Sequence, residues 1–193
     1  MAEQMQKLSD EALIKKAQSG DNQAVEALCL RYGGVVRMKA REFFLAGGET
    51  EDLVQEGMLG LYHAIMDYGK KENPMSFKNF AHLCVSRKII DAVKASARKK
   101  NVPLNNYVSL FSSDWEMPDK NPEEELILNE TRREFMQKIS GVLSDFEFKI
   151  TIMYIDGLTS AEICKGTGKD GKSVDNALQR SKKKLQKLFH IQR

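Results

Sequence analysis

The segment Phe77–Lys100, FKNFAHLCVSRKIIDAVKASARKK, constrains the fold most. Phe77, Phe80, Ala81, Cys84, Val85, Ile89, Ala92 and Val93 recur at spacings of three and four, which predicts one long amphipathic helix. Among them stand Lys78, Arg87, Lys88, Lys94, Arg98, Lys99 and Lys100 against a single acid, Asp91; seven positive charges less one negative leave +6 on one element. The apolar stripe of such a helix requires a protein surface, and its cations suit a polyanion.

The rest of the chain follows the same period, and no convincing alternating strand pattern interrupts it. The expected fold is therefore all-α. Ser9-Asp10-Glu11 opens a helix with Leu13, Ile14 and Ala17 on one face, closed by Gly20-Asp21. Asp21 or Asn22 caps a second helix with the stripe Ala24, Val25, Leu28, Tyr32. That helix either breaks at Gly33-Gly34 or runs on to Phe43 and Phe44. Glu49–Asp67 is a third, with Thr50 as its cap and Glu51 and Asp52 at the positive end of its dipole. After a loop at Gly69–Pro74 comes the basic helix, and Lys100 ends a first domain, 1–100.

Residues 101–125 read as a linker. Pro103, Pro118 and Pro122 punctuate them, Asp114, Glu116, Asp119 and Glu123–Glu125 make them acidic, and no period is sustained. Leu104, Tyr107, Val108, Leu110, Phe111 and Trp115 give the linker side chains that should dock on something. A second domain, 126–193, begins with a helix over Leu126–Leu143. Ser144 with Glu147, and Thr159 with Glu162, have the spacing of capping boxes for two further helices. Gly166–Gly171 is a turn before a last helix over Lys172–Phe189.

Ile163, Cys164, Thr167, Gly168, Val174 and Leu178 fall where a helix-turn-helix needs its core and its positive-φ turn, although Thr167 and Lys169 stand where apolar residues are usual. Lys172, Ser173, Asp175, Asn176, Gln179 and Arg180 then face outward near the start of the second helix, where side chains reach base edges in a major groove. Asn and Gln suit adenine, and Arg and Lys suit guanine or phosphate. Lys182, Lys183, Lys184 and Lys187 follow at phosphate-binding positions.

The net charge of +3 hides a segregation: acids gather at Glu49–Glu56 and Asp114–Glu125, bases at Arg87–Lys100 and Arg180–Arg193. Nucleic-acid binders distribute charge in this way. Cys29, Cys84 and Cys164 lie far apart, with no CxxC and no Cys/His cluster, so reduced, buried thiols are expected rather than a zinc site. The first ten residues hold no signal core and no apolar run approaches a bilayer span, so a cytoplasmic protein with no membrane partner is expected. There is no phosphate loop and no triad, and His63, His82 and His190 have no acidic partner at catalytic spacing; neither an enzyme nor a cofactor is expected.

These parts, in this order, resemble a bacterial RNA polymerase sigma factor over nearly the whole chain. Asp52-Leu53-Val54-Gln55-Glu56-Gly57 and Leu59-Gly60-Leu61 match the DLxQEGxxGL signature of sigma region two, which in the family binds the polymerase clamp. The resemblance implies that Asp52, Leu53, Gln55 and Glu56 contact the clamp of the largest subunit of the core enzyme, and that the flap of the second subunit is also a partner. It implies a minus-ten promoter surface on Phe77, Phe80, Arg87, Lys88, Asp91, Lys94, Arg98 and Lys99, with the two aromatics placed where the family captures extruded bases. It implies a minus-thirty-five surface on Lys172, Ser173, Asp175, Asn176, Gln179, Arg180 and Lys183. Leu83 and Cys84 replace a Trp pair of the housekeeping pattern, which suggests poorer strand opening and an alternative sigma factor. Acids of the linker, such as Asp114, Glu116 and Asp119, would mimic nucleic acid in a basic channel. Val102–Leu110 is most similar to the sporulation and early-stationary-phase sigma-H subgroup. An anti-sigma factor is a further partner of such proteins. The competing reading is a helix-turn-helix regulator that binds an operator without stable attachment to polymerase. It accounts for Leu158–Leu188 but not for Asp52–Leu61 or the first basic helix.

Overall fold

The computed structural model describes residues 5, 7–43, 50–70, 75–100 and 133–189, with positions 97–100 described by their backbone alone. Among them are eight helices and no strand: α1 (Asp10–Gln18), α2 (Asn22–Arg41), α3 (Thr50–Asp67), α4 (Phe77–Lys100), α5 (133–140), α6 (Asp145–Ile155), α7 (Ser160–Thr167) and α8 (Gly171–Leu188). The expected linker, 101–125, lies outside the described residues, as does the predicted start of α5 at Leu126.

Local chemistry sets the helix starts. The Ser9 hydroxyl accepts from Ala12 N at 3.3 Å, and the Asp21 carboxylate accepts from Gln23 N at 2.9 Å and Ala24 N at 3.3 Å. Gly20 takes φ +96 between these two helices. α2 runs unbroken through Gly33-Gly34 to Arg41, because its buried stripe, Ala24, Ala27, Leu28, Tyr32, Val36 and Ala40, continues past the glycines. Thr50 does not stand outside α3 as a cap: it is the first residue of that helix and is itself buried.

α1 to α4 enclose one core. On α4 the fully buried positions are Phe77, Ala81, Val85, Ile89 and Val93, a spacing of four throughout, while Phe80 and Cys84 are only half-buried at its edge. α3 crosses α4 closely at Gly57 and Gly60. A Cβ at Gly60 would lie 3.0 Å from the Cys84 carbonyl oxygen and 3.1 Å from Val85 Cα, and one at Gly57 would lie 2.7 Å from Val36 Cγ1. At the far end of α3 the Gln18 amide donates to the carbonyls of Ile65 (2.9 Å) and Tyr68 (2.8 Å), closing the helix terminus from α1.

The second half has its own cores. Phe135, Ile139, Leu143, Ile155 and Leu185 form one, with Phe135 stacked on Phe189; Ile150, Ile163, Val174 and Ala177 form the other. Both predicted capping boxes are present, Ser144 with Glu147 and Thr159 with Glu162. Gly168 takes φ +66 at the turn between α7 and α8, and Asp170 caps α8 by accepting from Ser173 N at 3.0 Å. Thr167, out of place in an apolar pattern, donates its hydroxyl to the Ile163 carbonyl at 2.7 Å and so satisfies itself within α7. Cys29, Cys84 and Cys164 are free and half-buried, and burial raises the thiol pKa of the first two.

Candidate nucleic-acid and polymerase interface

The outer face of α3 begins with Asp52 and Gln55, both exposed, and Glu56, half-exposed with its carboxylate 3.4 Å from Lys88 Nζ on α4. Leu53 turns the other way and packs at the edge of the first core. Helical spacing carries the outer face on to Leu59 and Tyr62, which stay 43% and 44% exposed. Sequence reasoning passed over these two. The signal was available: they are large apolar residues out of phase with the buried set Gly57, Gly60, Leu61, Ala64 and Ile65.

On α4 the expected aromatic pair separates. Phe77 is 1% exposed, wedged edge-on between Tyr32 (5.4 Å between ring centroids) and Tyr68 (5.3 Å). It is a core residue and cannot accept a base without leaving the core. Phe80 lies half-buried at the core margin, tilted against Tyr68 at 5.7 Å. Arg87, Asp91 and Lys94 are exposed at i, i+4 and i+7, forming one outward row, and Lys88 is half-exposed beside Glu56. The side chains of Arg98 and Lys99 lie outside the described residues.

α8 presents the face expected of a recognition helix. Val174, Ala177, Ser181 and Leu185 are buried, while Lys172, Asp175, Asn176, Gln179, Arg180 and Lys183 are exposed. Ser173 is half-buried and gives its backbone N–H to the Asp170 cap. Arg180 is not independent of the scaffold. Its Nε donates to Glu147 Oε1 at 3.2 Å, and Lys184 Nζ donates to Glu147 Oε2 at 2.7 Å. The chemistry of the face is hydrogen bonding and charge, not bond making. No cluster of three or more metal-ligating side chains occurs among the described residues, and no described helix is long and apolar enough to cross a membrane.

Residues 28–99 match the family described as Sigma-70 region 2. Over 202 residues the chain is 43% identical to the RNA polymerase sigma-H factor of Bacillus subtilis (strain 168), an alignment that covers 98% of this chain and 92% of that protein. The chain belongs to the RNA polymerase sigma factors. This sigma factor is also 42% identical to the RNA polymerase sigma-H factor of Bacillus licheniformis, over 95% of its length and 88% of the relative's. A structure described as CnrH in complex with the cytosolic domain of CnrY aligns with 94% of the sigma factor and 97% of its own chain, at 19% identity and a TM-score of 0.36. Membership decides between the two readings of the sequence: the protein directs promoter-specific transcription initiation with RNA polymerase, and is not a free-standing operator-binding regulator.

The two halves of the sigma factor touch through α2. Arg41, 4% exposed, donates through Nη1 to the carbonyls of Tyr154 (2.8 Å) and Leu158 (2.6 Å), with its guanidinium 3.9 Å above the Tyr154 ring. Arg37 donates to the Gly157 carbonyl at 2.7 Å. Burial lowers the Arg41 pKa, against the pull of Tyr154 and Glu51. No pattern in the sequence marks these two arginines, which look like ordinary solvated positions on the polar side of α2.

Proposed function

We propose that the outer face of α3, from Asp52 through Gln55 and Glu56, grips the clamp of the largest polymerase subunit, and that α4 and α8 read the minus-ten and minus-thirty-five elements. The observation that carries this reading is the join between α3 and α4. Gly57 and Gly60 bring the two helices into backbone contact, and Glu56 and Lys88 face each other across the junction at 3.4 Å. A polymerase that seizes α3 therefore fixes the position of the basic row Arg87, Asp91, Lys94.

On α4, Phe80 is the base acceptor and Phe77 its support within the core. Arg87, Lys88, Lys94, Arg98 and Lys99 contact the duplex, with Asp91 on the same face. On α8, Asn176 and Gln179 reach base edges, Lys172, Ser173, Asp175 and Lys183 flank them, and Arg180 is steered by Glu147. The functional units are 1–100, a linker over 101–125 whose acids enter a basic channel of the enzyme, and 126–193, which also meets the flap of the second subunit. An anti-sigma factor would compete for these same surfaces. The protein works in the cytoplasm and performs no chemistry of its own. Its two readers gain strength from being held together on the enzyme, where the second engagement is intramolecular.

The test is Asp52→Lys combined with Gln55→Lys, both at exposed positions. Co-purification with core polymerase should fall at least about tenfold, since like charges facing a basic partner cost several kcal/mol, while the helical circular dichroism of the free protein stays the same. Stoichiometric co-purification of the double variant would refute the assignment.

A further inference from the structure

Gly157, at φ +86, sits so close to α2 that a Cβ there would lie 2.5 Å from the Gly34 carbonyl oxygen and 3.3 Å from Met38 N. The turn Tyr154–Leu158 thus meets α2 backbone to backbone, with Gly34 on one side and Gly157 on the other. Around that point stand Arg37 and Arg41, donating to the carbonyls of Gly157, Tyr154 and Leu158. These carbonyls lie where α6 ends, at the negative pole of its dipole, where a cation is favoured. The fit is specific: two arginines, a ring face, three carbonyls and a pair of glycines that leave room for nothing else.

We infer that the outer face of α2 is an intramolecular docking surface for the α6–α7 turn, a latch that holds the upstream-reading half against the polymerase-binding half until the enzyme engages. The inference rests on the assignment of Asp52, Gln55 and Glu56 to the polymerase clamp. Three observations mark the contact as one made to be released. First, each half keeps its own apolar core, so separation leaves both folded. Second, Arg41 Nε is buried without a hydrogen-bond partner, an expense that a permanent interface has reason to remove. Third, the 32 residues from 101 to 132 can span on the order of 100 Å when extended, so chain connectivity does not force the halves together.

The latch also touches the polymerase grip. The Thr50 hydroxyl is hydrogen-bonded to the Tyr154 side chain, and the Glu51 carboxylate lies 4.0 Å from the Arg41 guanidinium. Asp52 is the next residue. A partner that draws the start of α3 to itself works against Thr50 and Glu51 as supports of the docked turn. Docking and polymerase binding are then opposed, and the apparent affinity for polymerase is reduced by the fraction of molecules that are open.

The experiment uses the full chain in three forms: wild type, Arg37→Ala/Arg41→Ala, and Gly157→Val, which wedges the interface from the other half. Small-angle scattering of the free proteins should show a compact wild type, and in both variants a larger radius of gyration with a second, longer set of interatomic distances. Core polymerase should bind both variants more tightly, about tenfold for a wild type that is docked nine times in ten. Unchanged scattering in both variants overturns the latch. Opened variants that bind polymerase no better than wild type overturn the opposition between docking and binding. The scattering arm contains no polymerase, so it is decided independently of the Asp52 assignment, which the Asp52→Lys/Gln55→Lys variant tests by itself.

Discussion

Glu147→Gln is the most informative single change in the second half. It preserves shape and removes one charge from a carboxylate whose side chain is 5% exposed. Burial by itself would raise the Glu147 pKa. The hydrogen bonds from Lys184, the Ser144 backbone and Arg180 outweigh it and bring the group down to about 2 from an ordinary 4.5. The folded pKa lies below the unfolded one, so the stabilisation is complete above about pH 4.5 and is lost as pH falls toward 2. A gap of about 2.5 units sets a ceiling of about 3 kcal/mol. Arg180 and Lys184 are 55% and 43% exposed, and solvent screening of such partners reduces the figure to about 1–2 kcal/mol. Hydrogen exchange of the α6 and α8 amides reads this as a loss of opening free energy at pH 7, with roughly half or less of the difference left at pH 3. Equal protection of variant and wild type at pH 7, or a difference that persists unchanged at pH 3, would refute the reasoning. The same variant releases two cations on the reading face. Its non-specific DNA binding should therefore strengthen, with a salt slope steeper by up to about 0.9 for each further phosphate neutralised.

Phe77→Ala should destabilise the first half by about 3–5 kcal/mol in urea denaturation, the loss typical of a fully buried aromatic. Phe80→Ala should leave that stability nearly intact while weakening open-complex formation by about 1–3 kcal/mol, the worth of one stacked base; equal effects of the two changes on both measurements would contradict the division between them. Gly60→Ala sets a gain of about 1 kcal/mol in helix propensity against about 1–3 kcal/mol of overpacking. Its Cβ meets α4 backbone rather than a yielding side chain, so the denaturation midpoint should fall.

The caps were legible because each is decided within four residues. Ser9, Asp21, Ser144 with Glu147, Thr159 with Glu162, and Gly168 all appear where the sequence places them. Phase within an amphipathic helix was less legible. Phe77 and Phe80 both fit a stripe of threes and fours, and only the partners, Tyr32 from α2 and Tyr68 beyond α3, decide that Phe77 is inside. Thr50 reads as a cap from its neighbours in sequence and is instead claimed by Tyr154, more than a hundred positions away. Arg37 and Arg41 gave no sign at all, since a cation on the polar side of a helix looks the same whether it faces water or a helix end.

Glu147 shows how much one local motif can conceal. As a capping residue it belongs to α6 and is fully explained by Ser144. As an anion it belongs to α8, because the two cations it holds stand one turn apart on the recognition helix. The capping bond fixes the carboxylate, and the fixed carboxylate then sets where Arg180 points. A base-reading face is therefore oriented by a residue that lies outside it, and the hydrogen bond that starts one helix also aims the side chains of another. The same economy applies to α3. Its glycines set the distance to α4, its outer face offers Asp52, Gln55 and Glu56, and its first two residues brace the docked turn. A force applied to that one helix moves all three together, which is the physical basis for expecting polymerase attachment, promoter reading and release of the second half to be a single event.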